Sequence, residues 1–123
     1  MKALLVSLLL PLLLAGCTLL DFGGDEETIT GPAGIHEGLF TLGIEDSVFE
    51  PCGRRERWWV TGDDDALRTL AGAYVEAGNR VIFARVRGTV LTGGDYGNFD
   101  RFEKAIEIAS VEVARPLRVG DCR

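Results

Sequence analysis

The feature that most restricts the fold is a hydrophobic period that changes from two to helical and back to two within one short chain. From Gly38 to Ile44, the apolar Phe40, Leu42 and Ile44 alternate with Leu39, Thr41 and Gly43, as in a strand. Ser47–Gly53 ends in turn-formers, and Arg57-Trp58-Trp59-Val60-Thr61 is again aromatic and β-branched, so both segments read as strands. Leu67, Leu70, Ala71, Tyr74 and Val75 then line one face of a helix. Asp63, Asp64 and Asp65 stand at its start, where an Asp caps free N–H groups and complements the helix dipole; Gly78 supplies a left-handed stop. The three aspartates lack the ligand spacing of a calcium loop, which leaves capping as their role.

Beyond the helix, Arg80–Leu91 is a long strand with Ile82, Ala84, Val86, Gly88 and Val90 on one face and Arg85, Arg87 and Thr89 on the other. Gly88 marks a bend, because a strand glycine removes the side chain that would oppose sharp coiling. Residues 92–100 are turn-rich and read as a mobile loop. In the strand Ala105–Ala114 the apolar phase slips from Ile106 and Ile108 to Val111 and Val113, which predicts a β-bulge near Ala109 or Ser110. The fold class expected is all-β with one helix: a small OB-like five-stranded antiparallel barrel with the helix across one end. An α+β open sheet with one packed helix is the competing architecture.

The N-terminus is an address. Residues 1–16 carry Lys2, an apolar run from Ala3 to Leu14 broken by Ser7 and Pro11, and small residues at the end, the layout of a signal peptide. The run is short for a membrane span, and polar and turn-forming residues follow from Asp21. Leu14-Ala15-Gly16-Cys17 resembles the lipobox of bacterial lipoproteins, which implies that Cys17 is lipidated and becomes the first residue of the mature chain. Several acyl chains on one residue hold a protein firmly to a membrane. Thr18, not Asp, follows the cysteine, and by resemblance to enterobacterial sorting this implies the outer membrane. Residues 17–34, with Gly23-Gly24, Asp25-Glu26-Glu27 and Gly31-Pro32, read as the lipidated cysteine and a flexible tether. Its acidic triplet is read as a solvated spacer rather than a cation site. Residues 35–123 are expected to form the OB-like barrel domain.

Export and lipidation settle the use of the cysteines. The chain has three, and with Cys17 acylated, Cys52 and Cys122 remain in a compartment where disulfides persist, so they are expected to pair. A bond closing so large a loop contributes roughly 4 kcal/mol by chain entropy, a large share of a small domain's stability. A redox-active bond and a thiolate metal pair are weaker readings, since there is no Cys-x-x-Cys and only one histidine, His36.

Gly38-x-Phe40, Ser47-x-Phe49-x-x-Cys52-Gly53, Trp58, Val60, the Leu67–Tyr74 helix, Val86-x-Gly88 and Cys122 occur in an order that resembles the C-terminal OB-type domain of NlpE-like lipoproteins, associated with copper homeostasis and envelope stress. The resemblance covers most of residues 38–122. It implies an OB-like barrel, a Cys52–Cys122 bond and an outer-membrane setting. The family's Cys-x-x-Cys motif sits in a separate N-terminal domain and has no counterpart in this sequence, so copper chemistry is not implied, and no cofactor or metal is expected.

Charge narrows the partners. With 13 Lys+Arg against 19 Asp+Glu, the net charge is −6, which argues against a phosphate-neutralising nucleic-acid binder. Catalysis is not expected: His36 stands at the edge of the tether, and no base is placed near a free nucleophile. The expected role is a non-catalytic binding module anchored to the membrane by lipid, engaging a periplasmic or surface protein or glycan, with stress sensing as one setting. A purely structural lipoprotein is the alternative. The candidate binding surface comprises Trp58, Trp59, Arg54, Arg55 and Arg57. Only one of two adjacent strand tryptophans can face a core, and a surface tryptophan would give a stacking platform. The arginines would grip an anion such as lipid phosphate, or be balanced by Glu50 and Glu56.

Overall fold

The computed structural model describes Ile29–Thr30 and residues 33–123; the segment 1–16 read as a signal peptide, Cys17 and the acidic triplet Asp25–Glu27 lie outside the described residues. The elements are β1 (Ile29–Thr30), β2 (Gly34–Thr41), β3 (Val48–Pro51), β4 (Trp58–Gly62), α1 (Asp64–Glu76), β5 (Ile82–Thr92) and β6 (Ala105–Pro116). Among the described residues the protein is mostly sheet with one α-helix. Among the described residues no helix is long and apolar enough to cross a membrane.

All six strands belong to one mixed sheet. β2 pairs antiparallel with β3 and with β5, and β3 pairs antiparallel with β4. β6 lies between β4 and β5, antiparallel to β5 but parallel to β4. The parallel pair corrects the all-antiparallel expectation, and connectivity explains it. After β4 the chain crosses through α1 before entering β5, and the return from β5 brings β6 alongside β4 in the same direction.

The strand ends differ from the periodicity in instructive ways. β2 begins four residues earlier than expected, at Gly34, because Ile35–Glu37 pair with Val86, Arg85 and their neighbours on β5. It also stops at Thr41, so Ile44 is fully exposed in a loop and faces no core. Ile29 and Thr30, inside the stretch read as tether, pair with Thr92 and Leu91. The bulge appears at Ala109, where the register of β6 shifts against Arg87 and Gly88, and a second one occurs at Glu112. That second bulge reverses the phase again, so Val111 and Ala114 pack against the core while Val113 does not. At Gly88 a Cβ would stand 2.7 Å from the Glu107 carbonyl oxygen, so only glycine lets β6 approach here.

The helix follows its signals. The Asp63 carboxylate accepts a hydrogen bond from the Ala66 amide at 3.1 Å, and Gly78 follows the last turn at a φ of 83°. Leu70 is wholly buried and Ala66 nearly so, with Leu67 and Tyr74 partly covered, whereas Val75 points to solvent. Under the helix, Phe40, Phe49, Trp58, Ile82, Val86, Ile106 and Ile108 close the core. Each such buried side chain contributes about 1.5–3 kcal/mol through lost water contact.

The C-terminal tail is fastened to this body. Cys52, just after β3, is bonded to Cys122, 70 positions later, with Cα atoms 4.6 Å apart. Arg115 forms a two-pronged hydrogen bond to the Asp121 carboxylate at 2.9 and 3.0 Å and lies 4.4 Å over the Phe83 ring. Arg115 hydrogen bonding, and then the Arg118 amide, hold the Asp121 carboxyl below its usual range.

Candidate functional site

Residues 52–57 lead from the β3 turn into β4 and carry three arginines and one glutamate. In an extended chain, side chains alternate, so Glu56 lies on the same side as Trp58, while Arg55 and Arg57 lie on the other. Trp58 Nε1 donates to Glu56 Oε1 at 2.8 Å, and Lys104 Nζ donates to the same oxygen at 3.1 Å. These two bonds, the tryptophan's first, lower the pKa of Glu56, so it stays ionised. Arg54 reaches the same carboxylate at 3.4 Å.

Lys104 is next to β6, whose parallel pairing places Ala105 opposite Trp59; the Trp59 amide donates to the Lys104 carbonyl at 3.0 Å. This pairing brings residues 101–104 beside residues 55–58, and between them lies an open cleft of about 500 Å³. Arg55, Arg57, Arg101 and Lys104 line it, together with Glu56 and Glu103. Arg57 lies 3.7 Å from Glu50 and 5.7 Å from the centre of the buried Phe102 ring.

The tryptophans divide as two faces of a strand must. Trp58 is 2% exposed, stacks on Phe49 at 5.9 Å and meets His36 edge-on at 5.5 Å, so it is core and offers no free platform. Trp59 faces outward and stacks on Tyr96 at 6.4 Å, covered by the β5–β6 loop. That loop was expected to be mobile. It is fastened to the β2–β3 loop, because the Asn98 amide donates to Asp46 Oδ1 and Asn98 Nδ2 donates to the Glu45 carbonyl, each at 2.9 Å. Phe99 follows with a φ of 62°, an uncommon conformation for a bulky residue, and is 77% exposed.

Of the predicted surface, Arg55, Arg57 and an edge of Trp58 meet in the cleft, while Arg54 does not line it but borders the disulfide and pairs with Glu56. Arg101, Phe102 and Lys104 complete it. Their interleaved charge and aromatic character was visible in the sequence, but nothing local placed it beside residue 55. His36, expected at the tether edge, is within β2 opposite Val86, and burial lowers its pKa. Both Cys52 and Cys122 sulfurs are committed to their bond. Among the described residues no cluster of His, Cys, Asp and Glu is placed to hold a metal ion, and Asp63 is engaged as a helix cap.

Comparison with protein-family models, curated proteins and solved structures finds no significant match to this chain. The functional reading therefore rests on the chain's own chemistry.

Proposed function

We propose that this is a lipid-anchored protein of the bacterial outer membrane, a non-catalytic binding module whose working surface is the cleft between residues 55–58 and 101–104. The observation that carries the reading is the gathering of four cations against two carboxylates in one cleft of an acidic chain. Such a concentration is electrostatically unfavourable in the free protein and is relieved by an anionic partner. We also propose an OB-like barrel, as in the C-terminal domain of NlpE-like lipoproteins. Its support is the pairing scheme, in which β2, β3, β4, β6 and β5 each have a neighbour on both sides and β5 returns to β2. In such barrels the second and third strands and the loops flanking them form the usual binding face. Here those are β3, β4 and the loops joined by Asp46 and Asn98.

Anchoring at Cys17 limits the partner to what a membrane-tethered domain meets: periplasmic or surface proteins and envelope glycans. A photo-crosslinking residue at Arg55, installed in the lipidated protein in its own cells, is expected to capture a discrete partner. The same residue at Thr69, on the exposed side of α1, is expected to capture none. Equal capture at both positions, or none at either, would favour a purely structural lipoprotein.

A further inference from the structure

We propose that the cleft binds a phosphomonoester group, an inference that rests on reading the cleft as the binding surface. Arg55 and Arg101 come from segments that only the parallel β4–β6 pairing brings together, and both line the cleft. Among the described residues neither makes an ion pair, whereas arginines elsewhere on the sheet face an acid: Arg85 faces Glu37 and Arg87 faces Glu112. Of the two carboxylates in the cleft, Glu56 is already committed to Trp58, Lys104 and Arg54. It fixes Lys104 in place and leaves Arg55 and Arg101 without an acidic partner, Arg101 lying 5.7 Å over the centre of the exposed Phe99 ring.

Ligand chemistry follows from charge and shape. A planar guanidinium offers paired donors that match the oxygens of a carboxylate or a phosphate. The lining has two more positive than negative groups, and a phosphomonoester brings about −1.5 to −2 at neutral pH. A carboxylate or a phosphodiester brings one charge and leaves the excess half matched. The cleft, at about 500 Å³, has room for the phosphate and the sugar or glycerol that carries it. Phe102 forms an apolar floor beneath Arg57 and restrains that guanidinium.

The same group occurs on free sugar phosphates and on the headgroups of phosphorylated lipids, and the test separates them. The lipidated protein in neutral detergent micelles is titrated with glucose 6-phosphate, with glucose, and with phosphatidic acid or phosphatidylcholine doped into the micelles, following tryptophan emission and backbone amide shifts. Saturation by glucose 6-phosphate supports a soluble phosphomonoester ligand; saturation by phosphatidic acid alone supports a headgroup. Arg55→Gln and Arg101→Gln, both at exposed positions, are each expected to weaken binding about tenfold or more, while Arg68→Gln on α1 leaves it unchanged. No saturable response to either phosphate, an equal response to glucose, or full affinity in both cleft variants would overturn the inference. If capture at position 55 in cells persists in that case, the binding surface stands and only the phosphate assignment falls.

Discussion

The two faces of β4 lie one residue apart and have opposite chemistry. Inward, Trp58 is enclosed by Phe49 and His36 and satisfies its ring N–H on Glu56. Outward, Trp59 shares a stack with Tyr96 on a loop fixed by Asp46. The inner face is organised by burial, which rewards every apolar contact. The outer face rests on a partly solvated aromatic stack and loop hydrogen bonds, which contribute less to stability than full burial.

Stability measurements test this contrast directly. Trp58→Ala is expected to cost about 3–5 kcal/mol in urea unfolding, while Trp59→Ala, which loses a partly solvated stack, should cost about 0.5–1.5 kcal/mol. Equal losses would mean that the outer stack is part of the core. Next in size is the clasp. Cys52→Ser with Cys122→Ser is expected to cost about 2–5 kcal/mol, seen as a lower denaturation midpoint that reducing agent no longer affects. Removing the helix cap with Asp63→Ala should cost about 1 kcal/mol.

The smallest effect expected is one of pH. Arg115 holds the Asp121 carboxyl below its usual pKa, so the folded state binds that proton more weakly than the unfolded state. The contribution is complete above the unfolded value of about 3.9 and is lost as pH falls through the lower folded value. Asp121→Asn should flatten the acid limb of a stability-versus-pH curve below about pH 4 and leave its neutral region nearly flat. A variant with the same acid slope would show that the tail contact does not survive in solution.

Local signals carried much of the fold. Asp63, Gly78 and the slip at Ala109 all report on their immediate neighbours, and all act as their residue types predict. The second bulge at Glu112 escaped because a glutamate within an alternating run gives no sign of being unpaired. Ile44 misled because alternation marks a strand whether or not a partner is present, and pairing ends at Thr41. Half of the cleft was readable from Arg55, Arg57 and Trp58. The other half needed β6 to run parallel beside β4, a non-local fact that residues 101–104 do not encode in their own spacing.

Cys52 and Cys122 are joined, and Cys17 is proposed to be acylated. Intact-mass and peptide mass spectrometry of the protein extracted from its own membranes without reduction tests that assignment most directly. The expected result is a mature chain that begins at Cys17 with acyl groups attached, and a crosslinked peptide pair containing Cys52 and Cys122. A mature chain that starts elsewhere, an unacylated Cys17, or free thiols at positions 52 and 122 would contradict it.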